Sequence, residues 1–137
     1  MENYTFRLKS GQDLFDSIEE FVSDRHIEAG CLLSSVGSVT RAVLRLANRE
    51  TYSEYNGYFE IVSLNGTVSI HGLHLHISIS DGDEKTIGWH LVSGCKIYTT
   101  AEIVVAAFDD VVYKREFAKD SGYDELVVYD NAARNSS

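Results

Sequence analysis

Alternation of apolar and polar residues predicts two neighbouring β-strands in the middle of the chain. In residues 73–80, leucine and isoleucine alternate with histidine and serine, so one face of the strand is apolar and the other polar. Residues 86–92 repeat this pattern, with His90 on the polar face. The polar loop of residues 81–85 between them predicts a β-hairpin with one buried face and one face that carries histidines.

The remainder of the chain predicts one helix and several further strands. A helix is expected over residues 11–28, capped by Ser10 and ended by Gly30 in a left-handed conformation. Its apolar residues share one stripe at helical spacing: Leu14, Ile18, Phe21 and Val22. Further strands are expected at residues 4–9, 31–36, 39–46, 59–64, 67–70, 97–108 and 126–129. Several antiparallel strands with one main helix make an α+β fold.

The dipeptide Asn65-Gly66 predicts a tight turn between the strands at 59–64 and 67–70. A two-residue type I′ turn needs positive φ at both central positions, which asparagine and glycine tolerate. These two strands are therefore expected to form a further hairpin.

Length and composition indicate a single folded domain. A chain of 137 residues with 44% apolar residues suits one hydrophobic core. Residues 1–130 are expected to form this domain, and the small, polar residues 131–137 a flexible C-terminal tail. Cys31 and Cys95 lie far apart without CxxC spacing, which favours two buried thiols over a disulfide.

The charge of the chain disfavours nucleic acid as a ligand. There are 12 Lys and Arg against 21 Asp and Glu, and the formal net charge of −9 is the wrong sign for phosphate neutralisation. The clustered arginines Arg41, Arg45 and Arg49 would line one face of a helix, but the apolar residues around them favour a strand, which scatters them. No stretch approaches the roughly 20 apolar residues of a membrane helix, and no signal peptide is evident, so a cytoplasmic location is expected.

Three of the five histidines are expected to meet on the polar face of the hairpin. His74 and His76 share one strand face, about 7 Å apart at Cα from a rise of ~3.3 Å per residue. If the hairpin turns about Asp83, His90 lies opposite His76 and diagonal to His74. His74, His76 and His90 are called the histidine triad below.

Three imidazoles with an open fourth position are typical of catalytic zinc sites. Zinc or another divalent transition metal is therefore the expected cofactor, and the alternative is a solvated or intersubunit sheet face that happens to carry histidines. Polar residues that could support the imidazoles are Glu60, Ser78, Thr100 and Glu102. His71, which has the opposite parity, and His26, on the helix, are expected to lie outside the triad.

The same segments resemble the plants-and-prokaryotes conserved (PPC) domain. The segments that keep the order and spacing of the family are residues 7–11, 33–38, 57–66, 74–78, 88–91 and 99–103. Trp89 stands where the family usually has a second glycine before the histidine, and alternation places Trp89 on the core face, outside the site. The resemblance covers residues 4–108.

This resemblance implies an antiparallel sheet or open barrel with one main helix packed against it, assembled as a homotrimer, with metal on the histidine triad. Plant members bind DNA through an AT-hook, whose Arg-Gly-Arg-Pro core needs a proline, and the chain has none. Prokaryotic members are often labelled predicted DNA-binding proteins. The leading hypothesis is a trimeric, metal-binding module with a regulatory role or a role in association with protein partners.

A zinc-dependent lyase or hydrolase acting on a small carbonyl or carboxylate metabolite is the second hypothesis. The fold of the family is similar to that of the acetolactate decarboxylases, in which three histidines hold a zinc ion that polarises a substrate carbonyl. In such an enzyme the histidine triad would hold the metal. Glu60 or Glu102 would be the acid or base, with Tyr98 a more distant candidate.

Overall fold

A six-stranded antiparallel sheet and one helix make up most of the structure. The computed structural model describes residues 1–45, 48 and 50–132. In chain order the elements are β1 Glu2–Lys9, α1 Leu14–Asp24, β2 Gly30–Arg45, β3 Tyr52–Val68, β4 His74–Ser80, β5 Thr86–Leu91, β6 Lys96–Ala107, β7 Val111–Phe117 and β8 Asp124–Asp130. The α+β class predicted from the sequence is confirmed.

The large sheet curves into an open, barrel-like arrangement. Its strand order is β1-β6-β2-β3-β4-β5. β5 also pairs with the end of β2, where Leu44 lies opposite Leu91 and Arg45 opposite His90. β7 and β8 form a separate two-stranded sheet. Sequence analysis predicted part of β8 but missed β7, whose sequence Val-Val-Tyr-Lys-Arg-Glu-Phe shows no clear alternation.

The core lies between the inner face of the sheet and α1. Leu14, Ile18 and Val22 are at most 1% exposed and are spaced i, i+4 and i+8, so the predicted helical stripe is confirmed. The same hydrophobic cluster contains Ile97 and Ile103 of β6. On the opposite, outer face of the sheet, large apolar side chains such as Val36 and Tyr58 are exposed.

The helix is shorter than predicted because its cap is Asp13 and not Ser10. Asp13 Oδ1 accepts a hydrogen bond from the backbone N–H of Asp16 at 2.9 Å, as an N-cap side chain does. Gly11 has φ of 85°, a conformation that does not belong to a helix. The helix therefore begins at Leu14.

The predicted C-terminal signal at Gly30 is wrong. The residue with left-handed backbone after the helix is His26, with φ of 50°. Gly30 is the first residue of β2, and a Cβ there would lie 2.4 Å from the carbonyl oxygen of Ala106. Gly30 is thus needed for the close approach of β6 to β2.

The substitution Asp13→Ala is expected to lower the free energy of unfolding by about 1–2 kcal/mol. Besides capping α1, Asp13 accepts a hydrogen bond from the N–H of Gly94 at 2.7 Å and lies 3.8 Å from Lys96 Nζ. Urea denaturation measures the change. The matched control is Asp24→Ala, at the exposed far end of α1, where less than about 0.5 kcal/mol is expected. Equal effects of the two substitutions would contradict the capping role.

The predicted turn at Asn65-Gly66 is also wrong. β3 continues through both residues, and Gly66 pairs with Leu75 of β4. Gly66 has φ of 147°, and a Cβ there would lie 2.0 Å from the carbonyl oxygen of His74. Glycine is therefore required for close contact between two strands, not for a reversal of the chain.

Both cysteines are free, as expected. Cys31 is half-buried, whereas Cys95 is fully buried and its Sγ accepts a hydrogen bond from the N–H of Val43 at 3.3 Å. Burial raises the pKa of the Cys95 thiol to about 11. The thiol therefore stays protonated and unreactive at neutral pH.

Some predicted strands have different bounds in the structure, and some predicted segments include residues outside the described ranges. The strands predicted at 31–36 and 39–46 form one strand, β2, with irregular pairing to β6; residue 46 lies outside the described part of the chain. Residues 133–137 of the predicted tail also lie outside it, and the domain boundary stays a prediction. No helix in the described ranges is long and apolar enough to cross a membrane.

Candidate metal centre

The β4–β5 hairpin brings the histidine triad together in the predicted register. His76 lies directly opposite His90, and Ser78 lies opposite Gly88. Leu75 is 2% exposed on the inner face of β4, whereas His74 and His76 are exposed on the outer face and His90 is half-buried. The predicted alternation of both strands is confirmed at these positions.

One nitrogen of each triad ring lies near the other two, and the nitrogens of His74 and His76 are spaced as zinc ligands are. One nitrogen from each ring lies within 4.8 Å of the other two. His74 Nε2 and His76 Nε2 are 3.2 Å apart. Two nitrogens at 2.0–2.1 Å from a tetrahedral zinc ion are about 3.3 Å apart, so this pair fits the geometry of zinc ligation.

The three rings also converge as side chains. His74 and His90 stack with ring centroids 5.4 Å apart, and His76 stands edge-on to them at 4.9 and 4.7 Å. A Cβ on Gly88 would lie 2.5 Å from the carbonyl oxygen of Ile77. Gly88 therefore lets β4 and β5 approach closely enough for the rings to meet.

Burial lowers the pKa values of His74 and His90. For His74 the charges of His76 and Arg115 lower the pKa further, and for His90 the charge of Arg45 does so. Both rings therefore favour the neutral state at neutral pH. A neutral imidazole is the form that binds a metal ion, so the protonation state of these two rings suits a metal.

The candidate acid–base residues lie away from the triad within one chain. Glu60 pairs with Ser80 at the far end of β4. Ser80 is four residues from His76, which is about 13 Å along the strand at ~3.3 Å per residue. Glu102 lies on β6, where it pairs with Val36. Their catalytic role stays a prediction.

The other polar candidates have separate positions on the sheet. Ser78 is on β4, two residues from His76, whereas Thr100 on β6 accepts a hydrogen bond from Arg7 Nε at 2.9 Å. Tyr98 packs against Tyr58, with ring centroids 4.9 Å apart. None of these side chains hydrogen-bonds to a triad imidazole within the described ranges.

The remaining histidines lie outside the triad, as expected, although His26 follows α1 and is not part of it. His26 Nε2 and His71 Nε2 lie 3.8 and 4.0 Å from Glu28 Oε1, outside the triad. Trp89 lies opposite Ile77 on the inner face of the hairpin. Trp89 nevertheless stays 42% exposed.

Two arginines stand beside the triad, a placement that was not predicted from the sequence. Arg45, at the end of β2, lies opposite His90, and Arg115 is on β7. Both line a cleft of about 950 Å³ together with His74 and His90. No sequence signal could have placed Arg115 there, because β7 itself was not predicted.

Comparison with known proteins identifies a matching family. The model of the Plants and Prokaryotes Conserved (PCC) domain matches residues 1–109. The chain is 41% identical over 123 residues to the bifunctional protein GlmU of Synechococcus sp. (strain JA-3-3Ab). The aligned region covers 90% of this chain and 20% of that protein. The chain thus spans about a fifth of the length of this curated relative.

Solved structures with the same fold come from several organisms. A hypothetical protein from Salmonella cholerae-suis has a TM-score of 0.93 and 35% identity, over 95% of this chain and 94% of that chain. A metal-containing protein from Archaeoglobus fulgidus has a TM-score of 0.78 and 28% identity, over 93% and 94%. A provisionally described DNA-binding protein from Bacteroides thetaiotaomicron has a TM-score of 0.81 and 22% identity, over 91% of each chain, and shows the fold alone.

Proposed function

The chain belongs to the Plants and Prokaryotes Conserved domain family, and from this premise we propose that it is a homotrimeric module that binds one divalent metal ion on the histidine triad and acts through regulation or protein association. The observation that carries the proposal is the convergence of three imidazole nitrogens within 4.8 Å. Three imidazole donors, two of them with nitrogens 3.2 Å apart, suit zinc best. The Archaeoglobus fulgidus neighbour, described as metal-containing, supports a metal in this family.

Within the site, each residue of the triad has a defined task. The three rings hold the ion from one side, and the backbone pairing of β4 with β5 keeps His76 and His90 in register. A bound zinc ion supplies a Lewis acid with one open position. The exposure of His74 and His76 leaves that position accessible to a ligand.

Elemental analysis of protein purified without chelator tests the metal. About one transition-metal ion per chain is expected, since each chain supplies one set of three histidine ligands. If the protein holds no metal, even after zinc is added and the excess removed, the proposed metal binding is wrong.

The homotrimer is supported by apolar side chains on the outer face of the sheet. Val36 and Tyr58 are 58% and 70% exposed, on β2 and β3, and Tyr58 packs against Tyr98 of β6. No described element covers these residues. Exposed apolar patches of this kind are typical of surfaces that bind protein.

The double substitution Val36→Asp/Tyr58→Asp is expected to dissociate the trimer. Two carboxylates placed in an apolar interface would remain unpaired and desolvated, which is strongly unfavourable. Light scattering after gel filtration should change from three times the chain mass of 15.3 kDa to a single chain. The matched control is Phe117→Asp/Val128→Asp on the β7–β8 hairpin, where both residues are also more than half exposed and the trimer should persist. A wild-type monomer would contradict the proposed assembly.

A metal-dependent lyase or hydrolase is the second candidate function. The cleft of about 950 Å³ beside His74 and His90 favours it, because such a cleft can hold a small metabolite next to the metal. Zinc-dependent turnover of a carbonyl-containing metabolite should be lost in His76→Ala while the assembly is kept. Turnover that survives this substitution would reject the enzyme hypothesis.

Direct DNA binding is not part of the proposal. The net charge is −9, and Arg41, one of the three clustered arginines, is engaged with Glu54 at 3.1 and 3.2 Å. Arg49 lies outside the described residues. No retardation of duplex DNA is expected at low ionic strength, and retardation that weakens steeply with salt would overturn this expectation.

A further inference from the structure

We infer that the cleft beside the histidine triad binds a small organic anion, with one carboxylate held by Arg45 and Arg115 and a second oxygen donor of the same molecule directed at the metal position. This inference deepens the proposed function, on which it rests, by naming the ligand class of the same site. The arginines, the cleft and the triad lie on one face of the molecule.

Arg45 reaches the cleft from the end of β2. It is the cross-strand partner of His90, so the two side chains point to the same face with Cα atoms about 5 Å apart. Arg45 makes no hydrogen bond or ion pair with any described residue. By contrast, Arg41, four residues earlier on the same strand, is held by two hydrogen bonds from its guanidinium to Glu54.

Arg115 reaches the same cleft from β7. Its guanidinium Nη2 donates a hydrogen bond to Thr67 Oγ1 at 2.9 Å. Thr67 is the cross-strand partner of His74, so this bond fixes the guanidinium next to the first ligand of the triad. The remaining N–H groups of Arg115 have no acceptor within the described ranges.

The acidic residues of the cleft leave both guanidiniums available. Its described lining includes Glu50, Asp124 and Glu125, all of them exposed, whereas Arg45 and Arg115 are half-buried. No carboxylate oxygen of a described residue lies within 4.0 Å of either guanidinium.

Charge and size of the cleft both suit a small anion. With a divalent ion on the triad, the ion and the two arginines carry one more positive charge than the three carboxylates of the described lining carry negative charges. A planar guanidinium can donate two parallel hydrogen bonds to one carboxylate. A volume of about 950 Å³ is in the range of small-molecule sites.

Calorimetric titration with malonate tests the inference. Malonate offers one carboxylate to the arginines and another to the metal, and its neutral diamide, malonamide, is the matched control ligand. In zinc-loaded protein, Arg45→Gln and Arg115→Gln should each weaken malonate binding about tenfold, since a charge-assisted hydrogen bond contributes about that factor. Arg115→Lys should give an intermediate loss, because it keeps the charge without the planar fork. Arg41→Gln is the control variant and should bind like the wild type.

The outcomes separate the inference from the proposed function. Zinc content is measured before and after each titration, so that heat from metal removal is not counted as anion binding. Malonate that fails to bind the zinc-loaded wild type, or that binds all variants and malonamide alike, would overturn the inference even where zinc is bound. If the protein binds no zinc, the proposed metal site is wrong. If that zinc-free protein still binds malonate and the arginine substitutions weaken this binding, the anion site is still supported.

Discussion

The double variant His74→Ala/His90→Ala is expected to lose its bound metal while it keeps its fold. Removal of two of three ligands leaves a single imidazole, and a loss of affinity well above 100-fold is expected, because even residues that only orient a metal ligand contribute about 10- to 100-fold. Elemental analysis should therefore fall from about one ion per chain to a trace.

The fold should survive because both side chains lie on the outer face of the hairpin. Neither ring belongs to the buried cluster, so the cost in unfolding free energy in the absence of metal should be below about 1 kcal/mol. Added zinc should raise the melting temperature of the wild type and not that of the variant, since only a native state that binds the ion is stabilised by it.

The matched control removes two histidines that lie outside the triad. His26→Ala/His71→Ala deletes the same number of imidazoles, both of them near Glu28 rather than near the triad. This variant should retain the full metal content and the zinc-dependent shift. Equal loss of metal in both variants would show that the ion is bound elsewhere, and retention in both would exclude the triad as its site.

The substitution Gly66→Ala is expected to destabilise the protein by about 3 kcal/mol or more. The new Cβ would lie 2.0 Å from the carbonyl oxygen of His74 and 2.9 Å from Leu75 Cα. Both neighbours are backbone atoms of β4, which cannot move aside as the end of a flexible side chain could. The φ of 147° adds strain for any residue with a side chain.

The same substitution should also weaken metal binding, because relief of the clash requires β4 to shift at His74. Urea denaturation and zinc titration of the folded fraction measure the two effects. Gly82→Ala is the control, since a Cβ at this position meets nothing within 4 Å, and a change within about 0.5 kcal/mol is expected. If Gly66→Ala were no less stable than Gly82→Ala, the close approach of β3 and β4 would be wrong.

Gly66 also illustrates where sequence-based prediction of the fold failed. Asn-Gly between two β-rich runs is a strong hairpin signal, but it reports only which backbone conformations a residue tolerates. A position inside a strand that contacts a neighbouring backbone needs the same tolerance. Local sequence cannot separate the two cases, because the partner strand, here β4, is contributed by later residues.

The sequence by itself determined the α+β class, the apolar stripe of α1 and the register that sets His76 opposite His90. These features follow from side-chain periodicity and from a short loop, which act between residues near one another in the chain. The tertiary structure alone decided that Arg45 and Arg115 flank the triad and that Glu60 and Glu102 lie away from it within the chain. Those placements depend on strand order and on the β2–β5 contact, which join distant segments, and no local pattern of residues encodes them.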